Sequence, residues 1–301
     1  MGLGDPASPS RAVPGQGDRE RWGLGWQKGW GVLEFRSVSE EEKSEVFIKV
    51  RGLHQRFGEN YVLQGVDVDF PRGKTTVLLG GSGGGKSVLV KHFVGLLRPY
   101  KGTVVVDGEE ITHMGERELD HVRQQVSMMF QGGALFDSMT VGENVAFPLR
   151  ERGMRDEKEV AKRVADALEI VRLPGQSEKM PSDLSGGMRK RVALARAVVE
   201  RPCCVLYDEP HAGLDPVTGD SIDHLIKHLQ TDLGITNIVI THEMRSVFRI
   251  ADHVVFMKEG RVYWEGSPEE MRESRDPELR NFVEGRSEES WESKGLLGEE
   301  G

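Results

Sequence analysis

From Val46 onward the apolar residues follow two rhythms, and their alternation predicts strands separated by helices. Val46-Phe47-Ile48-Lys49-Val50 reads as a strand, and Val66, Val68 and Phe70 alternate with Asp67 and Asp69 as in a half-buried one. Thr76-Val77-Leu78-Leu79, Val126 to Phe130 and Asn237-Ile238-Val239-Ile240 are short apolar strands. Cys203-Cys204-Val205-Leu206-Tyr207 is a mostly apolar run of the kind buried in a parallel sheet. Asp107-Gly108 and Glu259-Gly260 are hairpin turns beside apolar runs. Helical spacing appears at Leu89, Val90, Phe93, Val94 and Leu97 before Pro99, and at Val160, Val164, Leu168 and Val171. Another helix runs from Ser185 to about Val199. Asp215 and Pro216 form an N-cap and first position ahead of the stripe Ile222, Leu225, Ile226 and Leu229. Ser267-Pro268-Glu269-Glu270 is a capping box opening a last helix. The class this order predicts is α/β.

The two ends break the pattern. Residues 1–45 carry Gly, Pro, Ser and charge, the composition of a disordered extension that should be dispensable, and the chain beyond Gly285 is acidic and loose. Within the leader, Trp22, Trp26 and Trp30 stand four apart. On a helix they would make an aromatic stripe; the glycines between Gly23 and Gly31 favour a loose segment instead.

Candidate chemistry gathers where predicted strands end. Gly80-Gly81-Ser82-Gly83-Gly84-Gly85-Lys86-Ser87 fits G-x-x-x-x-G-K-[ST] between a strand and a helix, the context that makes it a phosphate cradle. Glycines let successive N–H groups face one anion, Lys86 would reach the β- and γ-phosphates, and the Ser87 hydroxyl would hold Mg²⁺. Ser185-Gly186-Gly187 opens a helix and is a second potential anion site. Asp208 and Glu209 close a buried strand, and such a strand end lies beside the ligand crevice of an open α/β sheet. His242 follows another strand and is open to a catalytic or a structural reading. Phe57 is either an aromatic platform for a base or a core residue.

Composition narrows the picture further. The 301 residues carry a net charge of −9, with no basic surplus of the kind that marks a nucleic-acid binder. No apolar run approaches the ~18 residues of a bilayer span, so a membrane role would come through a partner. The N-terminus lacks a signal-peptide core. Cys203 and Cys204 are adjacent, so along one strand they face opposite ways and do not pair; they read as core residues in a reducing compartment.

Taken together, residues 46 to 285 resemble the ATP-binding subunit of an ABC transporter. Gly80 to Ser87 is similar to Walker A, Gln131 to the Q-loop, and Leu184-Ser185-Gly186-Gly187-Met188 to the family signature. Val205 to Asp208 is similar to Walker B, Ala212-Gly213-Leu214-Asp215 to the D-loop, and His242 to the switch histidine. The resemblance implies a P-loop NTPase fold with a RecA-like core, an antiparallel β subdomain and a helical signature subdomain at about 132–190. It places the ATPase domain at 46–266, a C-terminal helical segment at 267–285 and loose ends at 1–45 and 286–301. It also implies site roles. ATP would lie on Phe57, Gly80, Gly81, Ser82, Gly83, Gly84, Gly85, Lys86, Ser87 and Val88, and Ser87, Gln131 and Asp208 would serve Mg²⁺. Glu209 would polarise the attacking water, and His242 would hold the γ-phosphate. Ser185, Gly186, Gly187 and Asp215 of a second copy would complete the site, because the subunits of this family meet head to tail and the chain has one of each half. His211 stands where the family commonly has Thr.

Within the superfamily, Phe130 to Leu149, Ser87-Val88 and the ending from Asp276 to Gly285 look like the Mla and Mce group. That group implies phospholipid moved between bacterial membranes, a homodimer on a membrane permease, a periplasmic MCE-domain partner and a place on the cytoplasmic face of the inner membrane. Another transported cargo, or a soluble ABC ATPase, is the alternative. Leu279, Phe282 and Val283 fall at helical spacing and need a covering surface, either in the same subunit or, as the group suggests, in its neighbour.

Overall fold

The computed structural model describes residues 44–286; the tryptophan stripe and the acidic tail lie outside them. The described chain opens on a hairpin of two long strands, β1 (Val46–Phe57) and β2 (Asn60–Pro71). β3 (Thr75–Leu79) is buried at all five positions and leads through the glycine loop into α1 (Lys86–His92). β4 (Lys101–Val106) turns into the short β5 (Glu109–Glu110), and α2 (Glu116–Gln125) leads to β6 (Val126–Met129). Three helices follow and pack on one another: α3 (Val141–Glu151), α4 (Glu157–Ile170) and α5 (Gly186–Val198). The chain returns through β7 (Cys204–Asp208), α6 (Pro216–Leu233), β8 (Thr236–Ile240) and α7 (Met244–Ile250). It ends in the hairpin β9 (His253–Lys258) and β10 (Arg261–Gly266), then α8 (Pro268–Glu273) and α9 (Pro277–Glu284).

These strands make two sheets. The antiparallel sheet has the order β2-β1-β4-β5, and the second has the order β10-β9-β3-β8-β7-β6. In the second, every neighbouring pair is parallel except β10 with β9. One apolar core joins the two sheets: Phe47, Val50, Val66 and Phe70 from the first meet Leu78, Leu206, Ile238 and Val255 from the second, with Leu89 and Phe93 between. Phe70 and Phe93 meet edge to face, ring centroids 5.1 Å apart. Because strands β3, β8, β7 and β6 run the same way, the segments after each of them emerge at one edge.

The structure departs from the sequence pattern in three places. α1 stops at His92 instead of continuing to Leu97, although Phe93 and Val94 remain buried. The chain turns off at Gly95, whose φ is +65° and whose place would bring a Cβ within 2.5 Å of Leu119. α2 has only Leu119 and Val122 buried, too few to form a visible stripe. α3 begins with a capping box in which Glu143 N donates to Thr140 Oγ1 at 3.2 Å and Thr140 N to Glu143 Oε2 at 2.7 Å.

The same subunit supplies part of the covering surface of the C-terminal segment, and Phe282 and Val283 are half-buried. Leu279 is fully buried, and the Phe282 ring sits 4.9 Å from that of Phe256 on β9. Lys258 pairs with Glu278 at 2.6 Å, and Tyr263 Oη donates to Asp276 Oδ2 at 3.0 Å. Cys204 is buried and Cys203 half-buried.

Candidate active site

The glycine loop is built by close backbone approach as much as by flexibility. Gly80 has a φ of +136°, and a Cβ there would stand 2.1 Å from the Met257 carbonyl oxygen on β9. Gly85, the N-cap of α1, has a φ of +91°, and its Cβ would meet Leu63 at 2.6 Å. Both positions therefore demand glycine. The second contact also sets β2 against the loop, so the β1–β2 hairpin stands next to the phosphate cradle. Phe57 ends β1 in that hairpin and is 50% exposed, with Tyr61 49% exposed across the turn. Sequence reasoning named the first and passed over the second.

Lys86 folds back over the loop, its Nζ donating to the Gly80 carbonyl at 2.8 Å and to the Gly81 carbonyl at 2.9 Å. Burial lowers its pKa, while the nearby carboxylates of Glu209 and Asp208 act the other way. Those carboxylates arrive from β7. Ser87 Oγ donates to Asp208 Oδ1 at 3.1 Å, which joins the Walker A helix to the Walker B strand. A serine hydroxyl beside a carboxylate offers the hard oxygen donors that a magnesium ion takes.

Glu209 takes a left-handed backbone, φ +50°, at a cost of about 1–3 kcal/mol for a side chain of this kind. Its N–H is held by the Ile240 carbonyl at 3.0 Å, so the end of β8 fixes the turn. The side chain is mostly covered, whereas that of His242 is 74% exposed. His242 Nδ1 comes within 2.9 Å of Glu209 Oε2 without the alignment of a hydrogen bond, and that buried oxygen has no hydrogen-bond donor. An unsatisfied carboxylate oxygen at this edge suits a water or a metal-bound ligand. The residues present thus fit magnesium nucleotide.

Gln131 is exposed after β6, and its backbone carbonyl accepts from Lys190 Nζ. Sequence reasoning missed Lys190. It occupies a buried position on α5 in register with Ala193, Leu194 and Ala197, and a lysine breaking an apolar stripe was the signal available. Burial lowers its pKa, against the attraction of Glu209. Arg196, also on α5, donates to the Gly133 and Ala134 carbonyls, both at 2.7 Å. Asn144, fully buried on α3, accepts from Phe136 N at 2.8 Å and donates to the Phe136, Met139 and Thr140 carbonyls at 3.0 Å. These side chains shape the whole segment from Gln131 to Thr140.

The signature residues face elsewhere. Ser185 caps α5 by accepting from Met188 N at 3.3 Å, and Gly187 lies so near α6 that a Cβ would meet Thr218 Cγ2 at 2.3 Å. Thr218 in turn donates its hydroxyl to Asp215 Oδ2 at 2.6 Å, and Asp215 accepts from Val217 N and Thr218 N at 3.0 Å. One chain therefore gathers Lys86, Ser87, Asp208, Glu209 and His242 at one sheet edge, and packs Gly187 against the helix that follows Asp215.

Comparison with known proteins accounts for this division. Residues 63–212 match the ABC transporter family. The chain is 37% identical over 245 residues to the Escherichia coli intermembrane phospholipid transport system ATP-binding protein MlaF, covering 81% of this chain and 91% of that one. It belongs to the ABC transporter ATP-binding family. A Mycobacterium leprae relative, named a probable ribonucleotide transport ATP-binding protein mkl, is 39% identical over 241 residues, covering 80% and 70% of the two chains. Among solved structures, cbiO1 from Clostridium perfringens, part of the ABC transporter complex cbiONQ, superposes with a TM-score of 0.70 at 33% identity, covering 80% of this chain and all of that one. A dimeric ATP-binding cassette in a post-hydrolysis state with ADP and phosphate gives 0.67 at 30% identity, covering 73% and 98%.

The ABC chain is thus an ATPase that binds and hydrolyses ATP. Its fold is the P-loop NTPase cassette expected from the motifs. Cassettes of this family work as dimers with membrane permeases. Among the described residues no helix is long and apolar enough to cross a membrane.

Proposed function

We propose that the chain is the ATP-hydrolysing subunit of a complex that moves phospholipid between bacterial membranes, paired with a second copy on the cytoplasmic face of an inner-membrane permease. The observation that carries this is the near full-length similarity to MlaF, which extends over 91% of that protein. The segment from Phe130 to Leu149, braced by Asn144 and Arg196, is the surface through which movement would pass to the permease. A periplasmic MCE-domain protein is the expected third component. The ribonucleotide named for the mycobacterial relative specifies the competing cargo.

In this reading Lys86 and the N–H groups of the glycine loop hold the β- and γ-phosphates, and Phe57 stacks on the adenine. Ser87, Asp208 and Gln131, directly or through water, would hold Mg²⁺, which supplies charge neutralisation to phosphoryl transfer. Glu209 orients and polarises the attacking water with its carboxylate, and His242, 2.9 Å from Oε2, holds the γ-phosphate beside it. The second copy's Ser185 and Gly187 close on that phosphate from α5. Closure moves the permease, and hydrolysis resets it.

The test is to isolate the chain with its membrane partners from its own cells in mild detergent, and to identify proteins and lipids by mass spectrometry. A permease with an MCE-domain protein and bound phospholipid is expected. A permease accompanied by a binding protein for another cargo, or no membrane protein at all, would overturn the lipid assignment.

A further inference from the structure

His211 lies two residues beyond Glu209, its side chain only 9% exposed, and none of the roles above uses it. Its Nε2 is 2.7 Å from Asp223 Oδ1 on α6. Asp223 is buried, with Arg249 Nη1 3.4 Å from its other oxygen, so it faces His211 as an acceptor and Nε2 carries the proton. Nδ1 of that tautomer is then an acceptor, and Thr241 Oγ1 stands 3.5 Å from it. Thr241 is fully buried and already accepts from Glu243 N at 3.0 Å, which leaves its O–H to point at the ring. The ring also lies over Gly219 of α6, where a Cβ would stand 3.6 Å from His211 Cδ2. Ser246 Oγ on α7 approaches Nε2 at 3.4 Å.

This one imidazole therefore ties together the turn that carries Glu209, the helix that starts at Asp215, and the turn Thr241–Glu243 that carries His242. His242 itself is exposed, so its place is set by the anchoring of its neighbours. We propose that His211 is a positioning residue for hydrolysis: the relay Asp223–His211–Thr241 fixes the His242 turn relative to Glu209 and to the helix behind Asp215. The proposal rests on the roles assigned above to Glu209 and His242. Hydrolysis depends on sub-ångström placement of the groups around the γ-phosphate, whereas nucleotide affinity comes mostly from the glycine loop. Loss of the relay is thus read in kcat before KM.

The experiment uses the full-length chain with Thr241→Val, His211→Ala, His211→Gln and the Thr241→Val/His211→Ala double variant, measuring ATPase kcat, KM for ATP and Tm. Thr241→Val keeps volume and removes the hydroxyl, and with it the bond from Glu243 N as well as the contact with His211; a fall in kcat of about tenfold with KM close to parental and a lowered Tm is expected. His211→Ala should lose at least as much, His211→Gln should recover most of it through its amide, and the double variant should be no worse than His211→Ala alone. If His211→Ala fails to fold, Thr241→Val and His211→Gln decide the matter. Parental kcat in Thr241→Val and His211→Ala, whatever their Tm, would overturn the relay. Glu209→Gln separates the two levels: parental activity there removes the assigned roles themselves, whereas an inactive Glu209→Gln beside fully active relay variants removes only the relay.

Discussion

The chain contains two glycine-rich stretches that each open a helix, and they are built in opposite ways. In the Walker loop Gly80, Gly83 and Gly85 take left-handed backbones, the N-cap of α1 is a glycine without a side-chain cap, and Lys86, Asp208 and Glu209 converge. In the signature loop neither Gly186 nor Gly187 has a positive φ, Ser185 already satisfies Met188 N, and the neighbouring Arg189 is turned back to the Leu184 carbonyl at 2.7 Å. The first is a nest that can hold a polyphosphate and activate water beside it. The second offers donors without a carboxylate of its own, which suits the proposal that it closes on a phosphate held by another copy. The difference fits the dimers in which cassettes of this family work.

The largest effect should come from the carboxylate that only the first region has. Glu209→Gln is expected to lower ATP hydrolysis by about 10²–10⁴-fold, leave ATP binding intact and trap a closed dimer, seen by size-exclusion with ATP and Mg²⁺. A variant hydrolysing at the parental rate would erase the contrast between the two loops. Next in size, Gly80→Ala places a Cβ against the Met257 backbone, which cannot rotate away as a side chain can. It should destabilise the fold by more than about 3 kcal/mol, read as soluble yield and Tm.

Gly187→Ala meets a methyl group instead, and the cost should be smaller, about 1–2 kcal/mol. Thr218→Ser, which removes that methyl and keeps the hydroxyl bonded to Asp215, should restore the parental Tm of Gly187→Ala. Failure of that rescue would place the constraint at Gly187 in its backbone, making the two loops more alike than described.

The smallest effect is one of pH. Burial lowers the pKa of His92 on α1 and of His253 on β9. The unfolded chain then takes up protons at these two sites before the folded one does, so stability is complete above the ordinary histidine value of about 6.5. It falls as the pH drops from there towards the lowered folded values. His92→Gln should flatten that part of a Tm-against-pH curve.

Much of this architecture is legible in the residues because local and global demands agree. Asp215-Pro216, Ser185 and Ser267 announce helix starts that the structure uses, and β7 and β8 read as apolar runs because both of their faces are covered. The end of α1 was hidden, since Phe93 and Val94 stay in the core after the helix has stopped and periodicity registers burial, not hydrogen bonding. Tertiary pairings were hidden as well. Nothing in the spacing of His211, Asp223 and Thr241 brings them together; the strand order does. The C-terminal segment was legible as an amphipathic helix, whereas the Phe256 ring that Phe282 meets comes from a distant strand.

That strand order also governs when the nucleotide site can exist. β3, which carries the glycine loop, pairs through Thr75 with Asn237 of β8 on one side and through Thr76 with His253 of β9 on the other. During synthesis the loop therefore leaves the ribosome long before either of its sheet neighbours, and Gly80 has no Met257 carbonyl to lie against. Contacts of such sequence separation form slowly, because the loop closure they require precedes their reward. A nascent chain that ends before β9 carries the whole Walker A sequence but lacks the strand whose Met257 carbonyl lies against Gly80.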